Sequence, residues 1–278
     1  MSEAAGGEPF ALTRPTTRAL PVLVEVPHAG LEVPAEVRAL LTVDERVLLR
    51  DADAWVDALV GDVVSRGATL LTARWSRYVV DLNRDETDHD PGSVTGSTQP
   101  KGAAPRGVIW RESSDGAPVL RRPLTREEFA GRVARYHRPY HRALAAELEA
   151  MRARHGAVVL LCAHSMPAMG RAQLGQAPRR RADVVPGTRG RSTAGAALID
   201  AVDAHFRAAG LSVRHDDPYR GGATTQRYGR PAAGMHAIQV ELNRDLYMDE
   251  RALTPRPDAM AWLRTLCTAL VAKLGDAL

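Results

Sequence analysis

Two predominantly apolar runs in this 278-residue chain lead directly to a histidine. Val22–Val26 is followed by a proline and then His28, and residues 158–163 are followed at once by His164. Short apolar runs of this kind are typical of strands that are buried on both faces of a parallel sheet. Because ligands of open α/β sheets bind beyond the carboxyl ends of the strands, the two histidines indicate a site.

Helical and strand patterns alternate along the rest of the chain. Further strands are predicted at residues 68–73, 78–82, 211–214 and 237–242, and helices at 43–49, 53–65, 125–154 (kinked at Pro139), 192–209 and 256–274. Two long segments rich in glycine, proline and polar residues, 85–118 and 167–190, are predicted to be loops that border the site. The alternation predicts one α/β domain over residues 1–278 with a mostly parallel sheet. Its first segment, 1–18, is expected to be loosely ordered.

The composition excludes several classes of protein. The chain has 37 basic and 33 acidic residues, and its arginines are spread out instead of clustered, so we expect no nucleic-acid partner. No apolar run approaches the roughly 20 residues of a membrane helix. Cys162 and Cys267 lie in apolar contexts and are predicted to be buried thiols. The polar N-terminus lacks the pattern of a signal peptide, which favours a cytoplasmic protein.

The strand-end histidines have a carboxylate candidate in Asp53. Two imidazoles and one carboxylate, with an open position for water, form a known catalytic zinc arrangement, so His28, Asp53 and His164 are the predicted metal ligands. Asp51 and Asp57 are alternatives for the carboxylate. The competing interpretation is that the histidines are hydrogen-bonded loop residues and that Asp53 caps a helix.

A second group of polar residues follows the predicted strand 78–82. Arg84 is placed to bind a substrate carboxylate through paired hydrogen bonds, and Arg77, at the other end, to face a developing oxyanion. A surface pair between Asp81 and Arg84 is the structural alternative. Farther along, Glu241 lies in an apolar strand, where a charge needs a partner or a task. It is predicted to be a general base, or else to pair with Arg244.

Three weaker patterns remain open. Arg227 follows a pair of glycines and is a candidate anion-binding residue, although a plain turn explains the segment equally well. His137 and His141 are four residues apart on a helix, but the surrounding residues do not match a helical zinc motif. Cys162 and His164 share one face of a strand, as a Cys–His nucleophile pair would, yet a buried cysteine in apolar surroundings is usually inert.

Several segments together resemble the N-formylglutamate amidohydrolase family. The matching segments, in order, are residues 26–30, 51–55, 77–84, 138–141, 164–166, 221–229 and 240–248. The resemblance implies a phosphorylase/hydrolase-like three-layer sandwich and one divalent metal ion, zinc. It also implies hydrolysis of N-formyl-L-glutamate to the free amino acid and formate, as in histidine degradation.

The segment 77–84 is also similar to aspartoacylase and, more remotely, to zinc carboxypeptidases. That similarity implies that Asn83 and Arg84 hold the substrate carboxylate, that Arg77 polarises the scissile carbonyl and that Glu241 activates water. Two departures stand out. Leu31 occupies the position at which aspartoacylase relatives carry a glutamate ligand, and position 162, often acidic in the amidohydrolase family, is a cysteine.

The expected partner is therefore a small N-acyl amino acid, with Arg227 as a further carboxylate-binding residue. A deacylase or carboxypeptidase-like enzyme acting on another N-acyl amino acid or peptide is the alternative. A non-catalytic, arginine-rich binding protein is the alternative from another class, and bound metal would distinguish the two classes. The sequence does not predict the oligomeric state.

Overall fold

A central six-stranded sheet organises the chain. The computed structural model describes residues 8–16, 18–98, 106–170 and 177–278. The strands are β1 (Phe10–Thr13), β2 (Val22–Val26), β3 (Thr69–Ala73), β4 (Val158–Met166), β5 (Val184–Gly187) and β6 (Met235–Asn243). Their order across the sheet is β1-β3-β2-β4-β6-β5. A separate two-stranded ribbon joins β7 (Met248–Asp249) to β8 (Thr254–Pro255).

The four inner strands are parallel and the two edge strands are antiparallel to their neighbours. This is the mostly parallel, mixed sheet that the sequence predicted. The register places Glu25 of β2 opposite Cys162 of β4, and His164 of β4 opposite Glu241 of β6. The carboxyl ends of β2, β4 and β6 therefore meet at one edge, where polar side chains collect.

Helices cover both faces of the sheet. They are α1 (Ala35–Arg38), α2 (Glu45–Asp51), α3 (Val56–Leu59), α4 (Arg126–Arg132), α5 (Arg138–His155), α6 (Ala196–Ala208), α7 (Ala223–Tyr228) and α8 (Pro257–Asp276). One apolar core lies between the sheet and α3, α6 and α8, and a second lies between the sheet and α5, α7 and the segment around residues 78–124. Alternate residues of β2 point into the two cores, so the domain is a three-layer sandwich.

Several element boundaries differ from the predictions. Residues 78–82 form a buried turn segment, not a strand, and at 211–214 the pairing is limited to a bridge from Val213 to Val184. Helix α2 begins at Glu45 and not at residue 43, because Asp44 caps it by accepting the Val47 N–H. The segment 53–65 becomes helical at Val56 and continues as a 3₁₀ helix.

The N-terminal segment and the long helix also differ in part from the predictions. Strand β1 pairs with β3, so the expectation of a loosely ordered 1–18 is wrong for residues 10–13, and residues 1–7 and 17 lie outside the described part. The capping box of Thr125 and Glu128 is present. A π-helical turn, Val133–His137, separates α4 from α5 just before Pro139, which cannot donate a backbone hydrogen bond.

Two predictions about the whole chain can be compared with the structure. Within the described ranges, no helix is both long and apolar enough to cross a membrane. Cys162 and Cys267 are both free and buried, as predicted.

Candidate active site

The carboxyl ends of three neighbouring strands supply the centre of the site. His28 follows β2, and His164 of β4 lies beside Glu241 of β6. Asp53 follows α2, and its backbone N–H donates to the carbonyl of His28 over 3.0 Å, which fixes this loop against the strand end. All four side chains are at least nine-tenths buried. The sheet topology thus brings together residues that are up to 213 positions apart in the sequence.

Asp53 and the two histidines form one compact cluster. Oδ2 of Asp53 lies 2.8 Å from Nδ1 of His164 and 3.4 Å from Nδ1 of His28. One nitrogen or oxygen atom from each residue lies within 4.8 Å of the others, close enough to share a metal ion. Two imidazoles and a carboxylate suit a divalent ion of the zinc type, and all three side chains are buried, so these residues fit such an ion.

The second nitrogen of His28 has a carboxylate partner. Nε2 of His28 lies 2.8 Å from Oδ1 of Asp81. Ligating histidines characteristically hydrogen-bond a carboxylate through the nitrogen that does not face the metal, because this fixes the tautomer and the ring orientation. The pair of His28 and Asp81 therefore has the arrangement expected beside a metal ligand.

Asp81 connects several residues of the site through hydrogen bonds, a role that the sequence interpretation missed. It is fully buried, and besides His28 it accepts hydrogen bonds from Asn83 N, the Arg77 guanidinium and the Trp110 indole, each over 2.9 Å. Burial alone would raise its pKa, but the charges of His28 and Arg77 outweigh that effect and hold the pKa well below the usual range. The predicted alternative, a surface pair with Arg84, is wrong.

Asp53 and Glu241, the buried carboxyl groups beside the histidines, have opposite pKa shifts. Burial would raise the pKa of Asp53, yet the hydrogen bonds and charges of His164 and His28 lower it well below its usual range. The pKa of Glu241 is raised, because burial dominates over the favourable charges of His164 and His28. Asp53 is thus suited to remain an anion, and Glu241 to exchange a proton.

Two arginines flank Asp53 but differ in how many of their nitrogens donate hydrogen bonds to the protein. Arg244 lies 3.6 Å from Asp53, and its three nitrogens bind Ser165 Oγ, the Arg50 carbonyl and the Ala52 carbonyl. It anchors the loop that carries Asp53 and does not pair with Glu241, contrary to the predicted alternative. Arg77 lies 4.0 Å from Asp53 and 4.4 Å above the Trp110 ring, and its Nε has no hydrogen-bond partner among the described residues.

An amide network links Glu241 to Asn83. Gln239 donates to Oε1 of Glu241 over 2.8 Å and accepts from Asn83 Nδ2 over 3.1 Å and from Gly222 N over 2.9 Å. Asn83 also accepts from Thr224 N, and its Nδ2 lies 3.3 Å from Nε2 of His164. A Cβ on Gly222 would overlap the Asn83 amide, so this close approach between the two segments requires glycine.

The histidine pair on the long helix supports the segment that carries Asn83 and Arg84. Nε2 of His137 binds the carbonyl of Arg84, and Nε2 of His141 binds the carbonyl of Leu82, each over 2.9 Å. These contacts account for the four-residue spacing without a metal. Arg84 itself lines the cavity, and its Nε donates to the Arg106 carbonyl over 2.9 Å.

Three candidates are not part of the histidine cluster. Arg227 is exposed on α7, its guanidinium 5.5 Å above the Tyr228 ring, and it is not among the described residues that line the cavity. Asp57 is exposed on α3. Asp51 is buried but accepts from the Tyr78 hydroxyl over 2.5 Å and from Ser114 N over 2.7 Å, so it belongs to a separate network.

The cluster lies in a cavity of about 700 Å³. Its lining includes the centre described above and seven arginines, which are Arg50, Arg77, Arg84, Arg106, Arg181, Arg220 and Arg244. Five acidic residues line it as well, and several of these are already paired with arginines. The surplus of guanidinium groups suits an anionic small molecule.

Comparisons with known proteins place this chain in a defined class. A model of the N-formylglutamate amidohydrolase family matches residues 20–248, so the chain is an amidohydrolase, an enzyme that acts on an amide bond. N-formylglutamate deformylase of Pseudomonas aeruginosa PAO1 is 34% identical over 240 residues, which is 84% of each chain. The deformylase of Pseudomonas putida is 32% identical over 239 residues, or 83% of each chain. The chain belongs to the N-formylglutamate amidohydrolase family.

Solved structures agree with this assignment. The crystal structure of N-formylglutamate amidohydrolase from Ralstonia eutropha JMP134 superposes with a TM-score of 0.88 at 35% identity, covering 96% of this chain and 97% of that one. A gene product of Agrobacterium tumefaciens shares the fold, with a TM-score of 0.68 at 22% identity. The expectations of the family and of the α/β fold are therefore confirmed.

Proposed function

We propose that the protein is a metal-dependent hydrolase that converts N-formyl-L-glutamate to glutamate and formate. The observation that carries this proposal is the buried cluster of His28, Asp53 and His164 beside Glu241, in an arginine-lined cavity of a chain from this family. The relatives that match over most of the chain are named for the same reaction. Of the ions that suit this donor set, zinc is the one we propose.

The three ligand residues would hold the ion through two imidazole nitrogens and one carboxylate oxygen. When bound, it would supply Lewis acidity and make water a stronger acid at neutral pH. Asp81 and Arg244 would keep the ligand residues in place, through the His28 ring and through the backbone around Asp53 respectively. Both supports are buried, so the cluster is preorganised.

Glu241 is the proposed general base and acid. Its carboxyl group lies on the strand next to His164, and Gln239 holds one of its oxygens in position. Because burial raises its pKa, Glu241 can take a proton from the attacking water and then return it to the departing amine nitrogen. The leaving group is then neutral glutamate amine, not an amide anion.

Arg77 is the proposed oxyanion residue. Asp81 and the Asp51 carbonyl each accept from one terminal nitrogen of its guanidinium, and the Trp110 ring supports its face, so the group is held rigidly beside Asp53. A rigid cation placed where negative charge develops stabilises the transition state more than the ground state. Arg244 differs in that all three of its nitrogens donate to the protein, whereas Nε of Arg77 has no partner among the described residues.

The substrate carboxylates would bind at the arginine-rich wall. Arg84 uses Nε for a backbone contact within the described structure, which leaves the two terminal nitrogens available for a carboxylate. Asn83, with both amide atoms bound to protein, holds this wall against Gln239. Since Arg227 faces outward, Arg181 and Arg220 are better candidates for the second carboxylate.

The decisive experiment combines activity with metal content. Purified protein is assayed for formate release from N-formyl-L-glutamate, before and after treatment with a chelator and after adding back zinc. Formate release that disappears with the metal and returns with it supports the proposal. Activity that survives complete metal removal would overturn the metal-dependent mechanism, and no formate release at any metal content would overturn the substrate.

The panel should include longer N-acyl amino acids, because the cavity of about 700 Å³ also admits larger acyl groups. Higher kcat/KM on one of these than on the formyl compound would favour the deacylase alternative. We also propose a cytoplasmic location and a role in histidine breakdown. Two buried free thiols are consistent with a reducing compartment.

A further inference from the structure

Glu25 is a buried carboxyl group that the proposed reaction does not use. It lies in the middle of β2, three residues before His28, and it is fully buried. One of its oxygens, Oε2, accepts a hydrogen bond from the Tyr140 hydroxyl over 2.9 Å. The other, Oε1, has no hydrogen-bond partner of normal geometry among the described residues, and the nearby Cys162 thiol is only a weak donor to the carboxyl group. A carboxyl group left half-satisfied in a core is costly, so it calls for a task beyond packing.

The sheet register places this carboxyl group directly below the metal cluster. Glu25 is opposite Cys162, and Cys162 is two residues before His164 on the same face of β4. Parallel neighbours are about 4.8 Å apart and successive same-face residues about 6.6 Å, so Glu25 lies within one side-chain layer of His164. Its charge acts on both His164 and His28.

We propose that Glu25 is a positioning residue of the metal centre, whose buried carboxylate supports the two histidines from below and strengthens the binding of a divalent ion. A negative charge one layer beneath the ligands attracts the cation, and few polar groups screen it there. The inference rests on the proposed metal site. It gives the carboxyl group a task that the bond to Tyr140 and the weak contact with the Cys162 thiol do not explain.

The metal-free protein offers a separate readout. Burial raises the pKa of Glu25, so without the ion its carboxyl group is more easily neutral, and a glutamine of the same shape should be tolerated. If Glu25 were instead needed only for packing, through its bond to Tyr140, Glu25→Gln would alter stability equally with and without metal. The metal affinity therefore separates the two roles.

The test measures the Kd for zinc and for cobalt by competition with a chelating indicator, on wild type and on Glu25→Gln. We expect Glu25→Gln to raise both Kd values about 10- to 100-fold, the usual effect of losing a partner behind a ligand, with an unchanged melting temperature of the metal-free protein. The d–d spectrum of the cobalt form, a readout independent of turnover, should shift as well.

A relocated carboxylate supplies the matched control. In Glu25→Gln/Cys162→Asp the acid returns on the opposing residue of the neighbouring strand, and in Glu25→Gln/Cys162→Asn the same shape returns without the charge. We expect the first double variant, and not the second, to regain affinity. Recovery in both, or a Kd for Glu25→Gln within about twofold of wild type, would overturn the inference.

The remaining outcomes also decide. If Glu25→Gln does not fold, the two double variants give the answer by the same comparison, and failure of all three to fold assigns Glu25 to stability and overturns the inference. Wild type that binds neither ion would instead refute the proposed metal centre itself. The two failures are therefore distinguishable.

Discussion

Replacing Asp81 by asparagine tests whether one buried carboxylate holds the site together. Its two oxygens accept four hydrogen bonds of 2.8–2.9 Å, two at Oδ1 from His28 and Asn83 N, and two at Oδ2 from Arg77 and Trp110. An asparagine amide has one acceptor and one donor side. Whichever way it is turned, the NH₂ group faces two donors, so two of the four bonds are lost and the charge opposite Arg77 is removed.

The magnitude follows from these contacts. Each lost hydrogen bond to a charged group contributes about 1.5–3 kcal/mol, so two give roughly 3–6 kcal/mol. Removing one partner of a buried ion pair typically costs about 3–5 kcal/mol. We therefore expect Asp81→Asn to lower the free energy of unfolding by about 3–5 kcal/mol. The loss of the carboxylate behind His28 should also weaken metal binding about 10- to 100-fold.

The assay is urea unfolding of the metal-free protein, with zinc affinity measured separately on the folded variant. Asp57→Asn is the matched control, because it makes the same chemical change at an exposed position on α3 and should alter stability by no more than about 0.5 kcal/mol. If the free energy of unfolding of Asp81→Asn lies within about 1 kcal/mol of the wild-type value and the variant binds zinc equally well, the hydrogen bonds to Asp81 do not hold the site together.

Further substitutions test the roles of individual residues. Glu241→Gln should keep the metal, by elemental analysis, but lower kcat about 10²- to 10⁴-fold, and near-normal turnover would make Glu241 structural. Gln239→Met should lower kcat about 10-fold in steady-state assays, because Glu241 loses the hydrogen bond that holds it. Arg84→Lys should reduce kcat/KM for N-formylglutamate by about 2–3 kcal/mol and hardly affect an analogue in which the bound carboxylate is an amide, whereas equal losses would indicate general damage. Arg227→Ala should leave kcat/KM on the same substrate within about twofold, since the side chain is exposed. Finally, alanine variants of the predicted metal ligands should lose bound zinc in elemental analysis, and these ligands are His28, Asp53 and His164. Asp51→Asn should keep its zinc. If Asp51→Asn loses zinc and Asp53→Ala keeps it, the carboxylate ligand is Asp51.

The core of the fold was predictable because the strands that build it are short, apolar and bounded by turns. Residues 78–82 fit the same pattern but form no strand, since loops cover their apolar side chains instead of neighbouring strands. In both cases the run is apolar because its side chains are buried. The sequence does not show whether neighbouring strands or loops bury them. Edge strands such as β1 are partly exposed and too short to leave a clear pattern.

The position of Arg227 shows how a helix that was not predicted led to an incorrect site residue. No helix was predicted after the glycine pair, so nothing in the prediction excluded Arg227 from facing a ligand. As helix α7, the same segment buries Thr224, Thr225 and Tyr228, which share one face at helical spacing. That face packs against the sheet and directs Arg227 outward, so periodicity alone would have removed it from the site.

Polar residues inside apolar runs were the most informative signal for this site, and they were used incompletely. Glu241 was singled out because a charge in a buried strand needs a partner or a task. The same reasoning applies to Glu25 in β2, to Asp81 in the run 78–82 and to Gln239 in β6, and all of them lie in or directly below the site. What the sequence cannot supply is the partner of each: Asp81 finds His28 53 positions away, and Gln239 finds Asn83 156 positions away. Those pairings come from strand order and register, which depend on contacts across the whole chain and not on any local pattern.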